Sequence, residues 1–287
     1  MSAEELDPSV LDEFMKENIV ESPEEKSIED FIEEDEGSSP IENYSIEQIL
    51  KHRAKKRVPA WWIGKILDTH AFVVAGNSLN RDKPNDFDVY MIGETFDFER
   101  IRHNIEHFSS LRRKGCHIIC ETKNSMTIKL DDSIIQFCKY TKNSVMDLIK
   151  SFDFAHCQVA AEFHCFDLSD DYDYLEDLKV SVSKVYYTMD WVKAKVNEST
   201  FYTGSEYPLS SLIRLVKYAQ RGMFSGGSYK YEMLKIFRDI INRGYKNYDD
   251  YKDQLDSIDL MLLTENNIGG IAFELFKDLR DKGLVEG

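Results

Sequence analysis

The sequence has little of what marks secreted, membrane or zinc-binding proteins. Its five cysteines are an odd number and include no C-x-x-C pair. No apolar run approaches the about 18 residues of a membrane-spanning helix, and the first residues are acidic where a signal peptide would be basic and then apolar. These absences argue against a disulfide framework, a zinc knuckle and a membrane partner. We therefore expect a soluble protein of the cytoplasm, a reducing compartment.

Positive charge is also scarce, because 36 Lys and Arg face 52 Asp and Glu, for a net charge of -16. Residues 1–40 hold fifteen of these acids against two lysines, a net of -13, so the remaining residues carry only -3. An even spread of -16 would argue against a nucleic-acid partner, since phosphate contacts need clustered cations. The uneven spread leaves such a partner open.

The acidic segment 1–44 is predicted to be a disordered tail, because charge of this density cannot bury enough surface to offset chain entropy. An alternative is that apolar residues such as Phe14 and Phe31 anchor the tail on a basic protein surface, or on a basic groove of the chain itself. The densest basic patch is Lys51–Arg57, at the end of a helix for which Ser45 and Gln48 have capping-box spacing.

Alternating helical and strand-like runs after Pro59 predict a mixed-sheet α/β domain over 45–177, followed by a helical domain over 178–287. The predicted strands are Ala71–Ala75, Phe87–Ile92, His117–Cys120, Ser125–Leu130, Ser133–Tyr140 and Phe152–Phe163. The predicted helices are Ala60–Leu67, Phe98–Phe108, Val145–Ser151, Lys179–Val196, Leu209–Arg221, Met233–Asn242 and Ala272–Lys282.

Two aspartates open the second predicted strand, directly after a strand, a turn at Gly76-Asn77-Ser78 and a short loop. Because side chains alternate along a strand, Asp86 and Asp88 are predicted to share one face. Two carboxylates on one face suit Mg²⁺, which takes carboxylates together with substrate phosphates. The turn can bring backbone N–H groups and the Ser78 hydroxyl to a triphosphate.

These residues resemble the signature of the nucleotidyltransferase superfamily, which has the DNA polymerase beta-like fold. That signature is an apolar strand, Gly-Gly or Gly-Ser, a loop often containing Arg, and Asp-h-Asp-h on the next strand. Ser78 and Arg81 look like its Ser-x-x-Arg part, whereas Asn77 stands where the first Gly would be. The closest pattern is that of nucleotidyltransferase-like proteins of large DNA viruses, phages and fungi. The resemblance covers residues 60–165.

Such enzymes use a third carboxylate on a neighbouring strand. Gln136 stands where an acid would fit on one candidate strand. Asp153 matches the first acid of a Phe-Asp-x-Asp-Cys pattern in the related proteins, and Ala155 replaces the second. We take Asp153 as the predicted third ligand, although a residue that merely starts a strand is the alternative.

The resemblance implies a Mg²⁺-dependent enzyme that moves a nucleoside monophosphate from an NTP to a hydroxyl on an RNA end, a small molecule or a protein. Asp86, Asp88 and Asp153 would be the catalytic and metal-binding residues. The turn residues Gly76, Asn77, Ser78 and Arg81, together with Lys217 and Arg214 on a later helix, would bind the nucleotide. The rival hypothesis is a catalytically degenerate fold that serves as a binding protein and uses its acidic tail to engage a basic partner.

Overall fold

A computed structural model describes residues 45–80, 84, 86–122, 124–166, 178–244 and 250. The predicted acidic tail, Arg81 and the predicted helix Ala272–Lys282 lie outside these residues.

The centre of the described structure is a mixed sheet of seven strands in the order β3-β4-β5-β2-β1-β6-β7. The strands are β1 (Ala71–Ala75), β2 (Asp86–Tyr90), β3 (His117–Glu121), β4 (Ser125–Leu130), β5 (Ser133–Cys138), β6 (Val159–Phe166) and β7 (Lys179–Tyr187). Strands β2 and β5 pair in parallel, and every other neighbouring pair is antiparallel. The predicted mixed-sheet α/β class is confirmed.

Helices surround this sheet and continue after it. They are α1 (Ile46–Arg57), α2 (Ala60–Leu67), α3 (Phe98–His107), α4 (Ser109–Arg113), α5 (Val145–Lys150), α6 (Met189–Val196), α7 (Pro208–Gln220) and α8 (Tyr229–Arg243). Short 3-10 helices cover Asn77–Asn80, Ala155–Cys157 and Ser225–Gly227. The capping box of α1 is present, because Ser45 Oγ accepts from Gln48 N at 3.3 Å and Gln48 Oε1 accepts from Ser45 N at 2.9 Å.

The two faces of the central strands differ in their surroundings. Alternate residues of β1 and β2 pack with α1, α2 and α3 in the main core. These residues are Phe72, Val74, Phe87 and Val89. On the opposite face, Tyr90 packs with Leu148 of α5 in a smaller cluster. The face that carries Asp86 and Asp88 is therefore the one turned away from the main core.

The predicted helix over Lys179–Val196 is wrong in its first half. Residues Lys179–Tyr187 form β7, which pairs with β6, and only Met189–Val196 is helical. The alternation Lys-Val-Ser-Val-Ser and the neighbouring Val and Tyr residues favour a strand, because their period of two places alternate side chains on opposite faces of a sheet. The sheet thus includes residues after position 178, where the sequence analysis began the helical domain. The division into domains stays a prediction.

The predicted strand over Phe152–Phe163 is also shorter at its start. A 3-10 helix over Ala155–Cys157 precedes β6, which begins at Val159. The side chain of Gln158 stabilises the irregular segment 152–158 that precedes β6. Its Nε2 donates to the Phe152 carbonyl at 3.0 Å and to Thr203 Oγ1 at 3.0 Å. Asp153 consequently lies in a buried turn before the strand and not on it.

Candidate functional site

Strand β2 presents two carboxylates on one face of the sheet. Asp86 and Asp88 are partly buried, whereas Phe87 and Val89 between and after them keep only 3% and 0% of their surface exposed. This alternation matches the period of two that a half-buried strand requires. The shared face that we expected for Asp86 and Asp88 is therefore present.

The two register partners of Asp88 carry no charge. Its register partner on β1 is Ala75, and its register partner on β5 is Gln136. The next residue, Gly76, has φ +92°, and a Cβ atom placed on it would lie 3.5 Å from Asp88 Oδ2. The Asp88 carboxylate therefore lies beside the backbone of the turn, and a larger residue at position 76 would be both strained and close to it.

The turn after Gly76 is held in place by side-chain contacts that the sequence analysis did not identify. Asn80 Nδ2 donates to the His156 carbonyl at 2.6 Å, and Trp191 Nε1 donates to Asn80 Oδ1 at 3.0 Å. Gly76 N donates to the Val159 carbonyl at 2.9 Å. Hydrogen bonds thus fix the turn to the segment 152–158, to the first residue of β6 and to α6. Asn80 follows the predicted turn Gly76–Ser78 by two residues, and no local pattern marks it because its partners lie far away in sequence.

Ser78 differs from the other polar residues of the turn. Its side chain is 7% exposed, and its Oγ has no hydrogen-bond partner among the residues that the structure describes. Buried hydroxyls in proteins are nearly always hydrogen-bonded, since an unsatisfied one costs free energy. The hydroxyl next to the carboxylate strand therefore has unused capacity to bind a ligand.

Asp153, in the segment 152–158 before β6, forms an ion pair with Arg214 on α7. The Arg214 Nε donates to Asp153 Oδ2 at 2.8 Å, and the Asp153 side chain is 8% exposed. Burial alone lowers the pKa of Arg214, but the Asp153 carboxylate and the Tyr218 hydroxyl more than offset this effect, so the pKa is raised. Lys217 lies one turn later on α7 and is partly buried. Its predicted phosphate role stays a prediction.

Two side chains in this region, Cys157 and Tyr90, have raised pKa values. Burial raises the pKa of Cys157 to about 12. A hydrogen bond with Tyr218 lowers this pKa, Asp153 and Asp88 raise it, and Arg214 lowers it. Burial also raises the pKa of Tyr90, with Cys138 and Asp88 adding to the effect and Arg214 opposing it. For both side chains burial is the largest cause, Asp88 raises the pKa and Arg214 lowers it.

Gln136 occupies the position beside Asp88 where an acid would complete a larger carboxylate cluster. Its Nε2 donates to Thr127 Oγ1 at 3.4 Å on β4. Within the described residues, no three His, Cys, Asp or Glu side chains are grouped closely enough to hold a metal ion. Asp86 and Asp88 still fit Mg²⁺ as a pair, because this cation is bound by one or two carboxylates together with substrate phosphates and water.

Comparisons with known proteins give one family and a set of solved structures. Residues 41–180 match the family described as Gad2, Gabija anti-defense 2 family protein. The matched segment contains Asp86, Asp88 and Asp153. A search of curated proteins finds no match. In the part of the chain that the structure describes, no helix has the length and apolar character to cross a bilayer.

The solved structures that are similar to this chain include nucleotide-handling enzymes. A Thermotoga maritima CCA-adding enzyme complexed with tRNA shares 13% identity over 74% of this chain and 50% of its own, with a TM-score of 0.43. A CCA-adding enzyme with ATP shares 13% identity over 77% of this chain and 51% of its own, with a TM-score of 0.42. A tRNA-processing enzyme with CTP shares 13% identity over 62% and 45%, with a TM-score of 0.37. This chain spans about half the length of these proteins.

Proposed function

We propose that this protein binds a magnesium-bound NTP at Asp86 and Asp88 and transfers its nucleoside monophosphate to a hydroxyl acceptor. The observation that supports this most is the geometry of β2. Two partly buried carboxylates share the face away from the main core, and Asp88 lies beside the Gly76 turn. The buried Ser78 hydroxyl, which has no partner among the described residues, adds a donor for a phosphate oxygen.

The reaction divides the work among a few side chains. A cation held by Asp86 and Asp88 would neutralise charge on the triphosphate. Ser78 and the backbone N–H groups of the turn hold phosphate oxygens. The acceptor oxygen bonds to the α-phosphorus, the bond from that phosphorus to the bridging oxygen breaks, and pyrophosphate leaves. The acceptor proton passes to solvent or to the leaving pyrophosphate.

A second candidate function is nucleotide binding without turnover. Two observations favour it: Gln136 is uncharged in register with Asp88, and the Asp153 carboxylate already accepts from Arg214. A site with two carboxylates can hold one cation with a nucleotide but has less capacity to activate the acceptor hydroxyl. The protein would then act as a nucleotide-dependent binding protein.

A transfer assay distinguishes the two functions. The chain is incubated with Mg²⁺ and an NTP labelled at the α-phosphate, and the acceptor is a short RNA, a small alcohol or the protein itself. Label on an acceptor, with pyrophosphate released and both lost in D86N/D88N, supports the enzyme. Mg²⁺-dependent NTP binding without label transfer supports the binding protein. An absence of NTP binding contradicts both.

We propose an RNA end as the first acceptor to test. Helix α1 packs against the turn Asn77–Asn80, and its basic residues, at Lys51–Arg57, form the densest positive segment of the chain. A basic helix beside a nucleotide turn can hold the phosphates of a strand whose end enters the site. A small molecule or a protein hydroxyl is the alternative outcome of the same assay.

The description of the matched family names a role against Gabija. We propose that this chain acts in that role and that its nucleotide site is the means. In cells whose protection depends on Gabija, expression of the wild-type chain should reduce protection, and expression of D86N/D88N should not. Equal loss of protection with both chains would separate the anti-defence role from nucleotide chemistry.

We also propose that residues 1–40 inhibit substrate binding at low salt. Their net charge of -13 should draw them to the basic residues of α1 or to a basic partner protein. Because α1 begins at Ile46, only a few residues separate position 40 from the helix that carries these cations, and a short connection gives an effective concentration in the millimolar range. A chain that begins at residue 41 should bind a short labelled RNA more tightly at low salt, with the gain shrinking at high salt. Identical curves would exclude inhibition.

A further inference from the structure

The turn that carries Asp153 is fixed on both sides by hydrogen bonds. The Asp153 carbonyl accepts from Thr203 N at 2.9 Å. The Phe152 carbonyl accepts from Thr203 Oγ1 at 2.8 Å and from Gln158 Nε2 at 3.0 Å. A backbone held in this way determines the direction of its side chain, so the Asp153 carboxylate is a fixed anchor and not a mobile acid.

The partner of this anchor is a side chain that is more exposed than Asp153. Arg214 keeps 29% of its side-chain surface exposed, compared with 8% for Asp153. Among the described residues, its hydrogen bond to Asp153 uses Nε, and a guanidinium has five N–H donors in a fixed plane. The Nη groups therefore remain available in an orientation that the Nε bond determines.

The turn that carries Asp153 also adjoins the carboxylate face of the sheet. Tyr90 is two residues after Asp88 on the same face, and its ring lies 5.9 Å from that of Phe152, the residue before Asp153. Tyr90 and Phe152 also pack in one apolar cluster, so the turn that carries Asp153 lies against the carboxylate face of β2. The ion pair that this turn holds therefore adjoins the space over β2 in which we propose the triphosphate.

A metal-binding role fits Asp153 less well than a positioning role. Its carboxylate already accepts a charge-assisted hydrogen bond from a cation, and a divalent ion at the same group would be repelled by the guanidinium. Arg is suited to phosphate recognition because its planar fork binds two oxygens at once.

We propose that Asp153 is a positioning residue that holds Arg214 through Nε, so that the Nη groups of Arg214 bind a phosphate of the nucleotide. This inference rests on the proposed function for the location of the nucleotide. It assigns Asp153 to the phosphate contact, where the sequence analysis assigned it to the metal.

The test uses two probes with the full-length chain: inorganic triphosphate without metal, and Mn²⁺ without nucleotide. Asp153→Asn removes one negative charge, which alone would strengthen triphosphate binding. Loss of positioning should instead weaken it by about tenfold, with Mn²⁺ affinity unchanged within about twofold. Asp153→Glu should restore much of the affinity. A metal ligand predicts the reverse: Mn²⁺ affinity falls, and triphosphate affinity rises or stays constant.

Arg214→Lys provides a variant that keeps a cation beside Asp153, so it tests the fork without leaving a buried charge alone. It should lose about tenfold in triphosphate affinity, because an ammonium cannot bind two oxygens in one plane. In the Arg214→Lys background, Asp153→Asn should cause little further loss. Additive losses, or full affinity in Arg214→Lys, would overturn the proposal.

Glu232→Gln is a matched control for the loss of a buried acid. Glu232 is 6% exposed, and it accepts from Lys235 at 3.0 Å and from Tyr202 N at 2.7 Å. This variant should bind triphosphate as the wild type does even where its melting temperature falls. Weakening equal to that of Asp153→Asn would mean that the effect is structural, which would overturn the positioning role.

The outcomes for the two proposals are distinguishable. Triphosphate binding that depends on Arg214 and Asp153, without Mg²⁺-NTP binding at Asp86 and Asp88, would support the positioning pair and contradict the proposed function. Mg²⁺-NTP binding that depends on Asp86 and Asp88 but is insensitive to Asp153→Asn and Arg214→Lys would do the opposite. No triphosphate binding by the wild type would overturn the positioning role.

Discussion

The paired aspartates of β2 and the single aspartate Asp153 carry the same carboxylate group but differ in their surroundings. Asp86 and Asp88 are partly exposed on a strand face turned away from the main core, and two like charges there do not help folding. Asp153 is buried and paired with Arg214 across 61 residues of sequence. Removing an acid from the first set should change ligand binding, whereas removing one from the second should change stability as well.

The largest effect is expected from D86N/D88N, which tests the first half of this comparison. Loss of both carboxylates should weaken Mg²⁺-dependent NTP binding by at least about a hundredfold, because the cation loses its charged protein ligands. The melting temperature should stay close to that of the wild type, since partly exposed like charges contribute little to the core. Calorimetric titration and thermal unfolding measure the two quantities.

D131N/D132N is the matched control, because it removes the same charge at the turn between β4 and β5. Asp131 pairs with Lys114 at 3.4 Å but is 64% exposed, so its loss should cost little. This variant should bind NTP normally. Full affinity in D86N/D88N, or an equal loss in the control, would contradict the assignment of the site.

The second half of the comparison is tested by the stability of Asp153→Asn. Breaking a buried ion pair usually costs about 3–5 kcal/mol, and the partial exposure of Arg214 places this pair at the lower end of that range. The free energy of unfolding, measured by urea denaturation, should fall by about 3 kcal/mol. Asp88→Asn should stay within about 0.5 kcal/mol of the wild type. Equal losses would remove the distinction between the two sets of acids.

Gly76→Ala sharpens the comparison at the backbone of the turn. A Cβ at φ +92° should cost about 1–2 kcal/mol of stability and would lie 3.5 Å from Asp88 Oδ2, so NTP affinity should fall as well. Gly115→Ala is the control, because Gly115 has φ +68° and nothing within 4 Å of such a Cβ. It should lose stability but keep NTP affinity. Parallel behaviour of both variants would contradict a ligand at the turn.

The smallest effect is expected from Ser78→Ala. Its hydroxyl has no partner among the described residues, so the variant should be as stable as the wild type or slightly more stable, while NTP affinity falls by about three- to tenfold. Thr200→Val is the contrasting variant, because Thr200 Oγ1 lies 2.6 Å from His156 Nδ1. It should lose about 1–2 kcal/mol of stability and keep NTP affinity. Unchanged affinity in Ser78→Ala would exclude the hydroxyl from the site.

Local sequence signals predicted the parts of the fold that depend on neighbouring residues. The structure has α2 at Ala60–Leu67 and β4 at Ser125–Leu130, as predicted, because Pro59 and the Asp131-Asp132 turn mark their ends. The predicted helix Lys179–Val196 joins two segments of different period, because β7 has a period of two and the helix begins only at Met189. Sequence periodicity therefore predicts the wrong element where a strand with a period of two is followed closely by a helix.

Sequence patterns also predicted only the local part of the candidate site. The shared face of Asp86 and Asp88 followed from strand alternation, and Gln136 was identified as a neutral residue where an acid would fit. Its register with Asp88 came only from the sheet. The contact between Asp153 and Arg214, and the link from Trp191 to Asn80 across 111 residues, depend on packing that no spacing rule encodes.

A crystal of the full chain soaked with Mg²⁺ and a non-hydrolysable NTP tests the central claim most directly. The account predicts a cation held by the carboxylates of Asp86 and Asp88, with the triphosphate against the Gly76–Ser78 turn. A nucleotide bound elsewhere, or a cation that does not contact these two carboxylates, would contradict it.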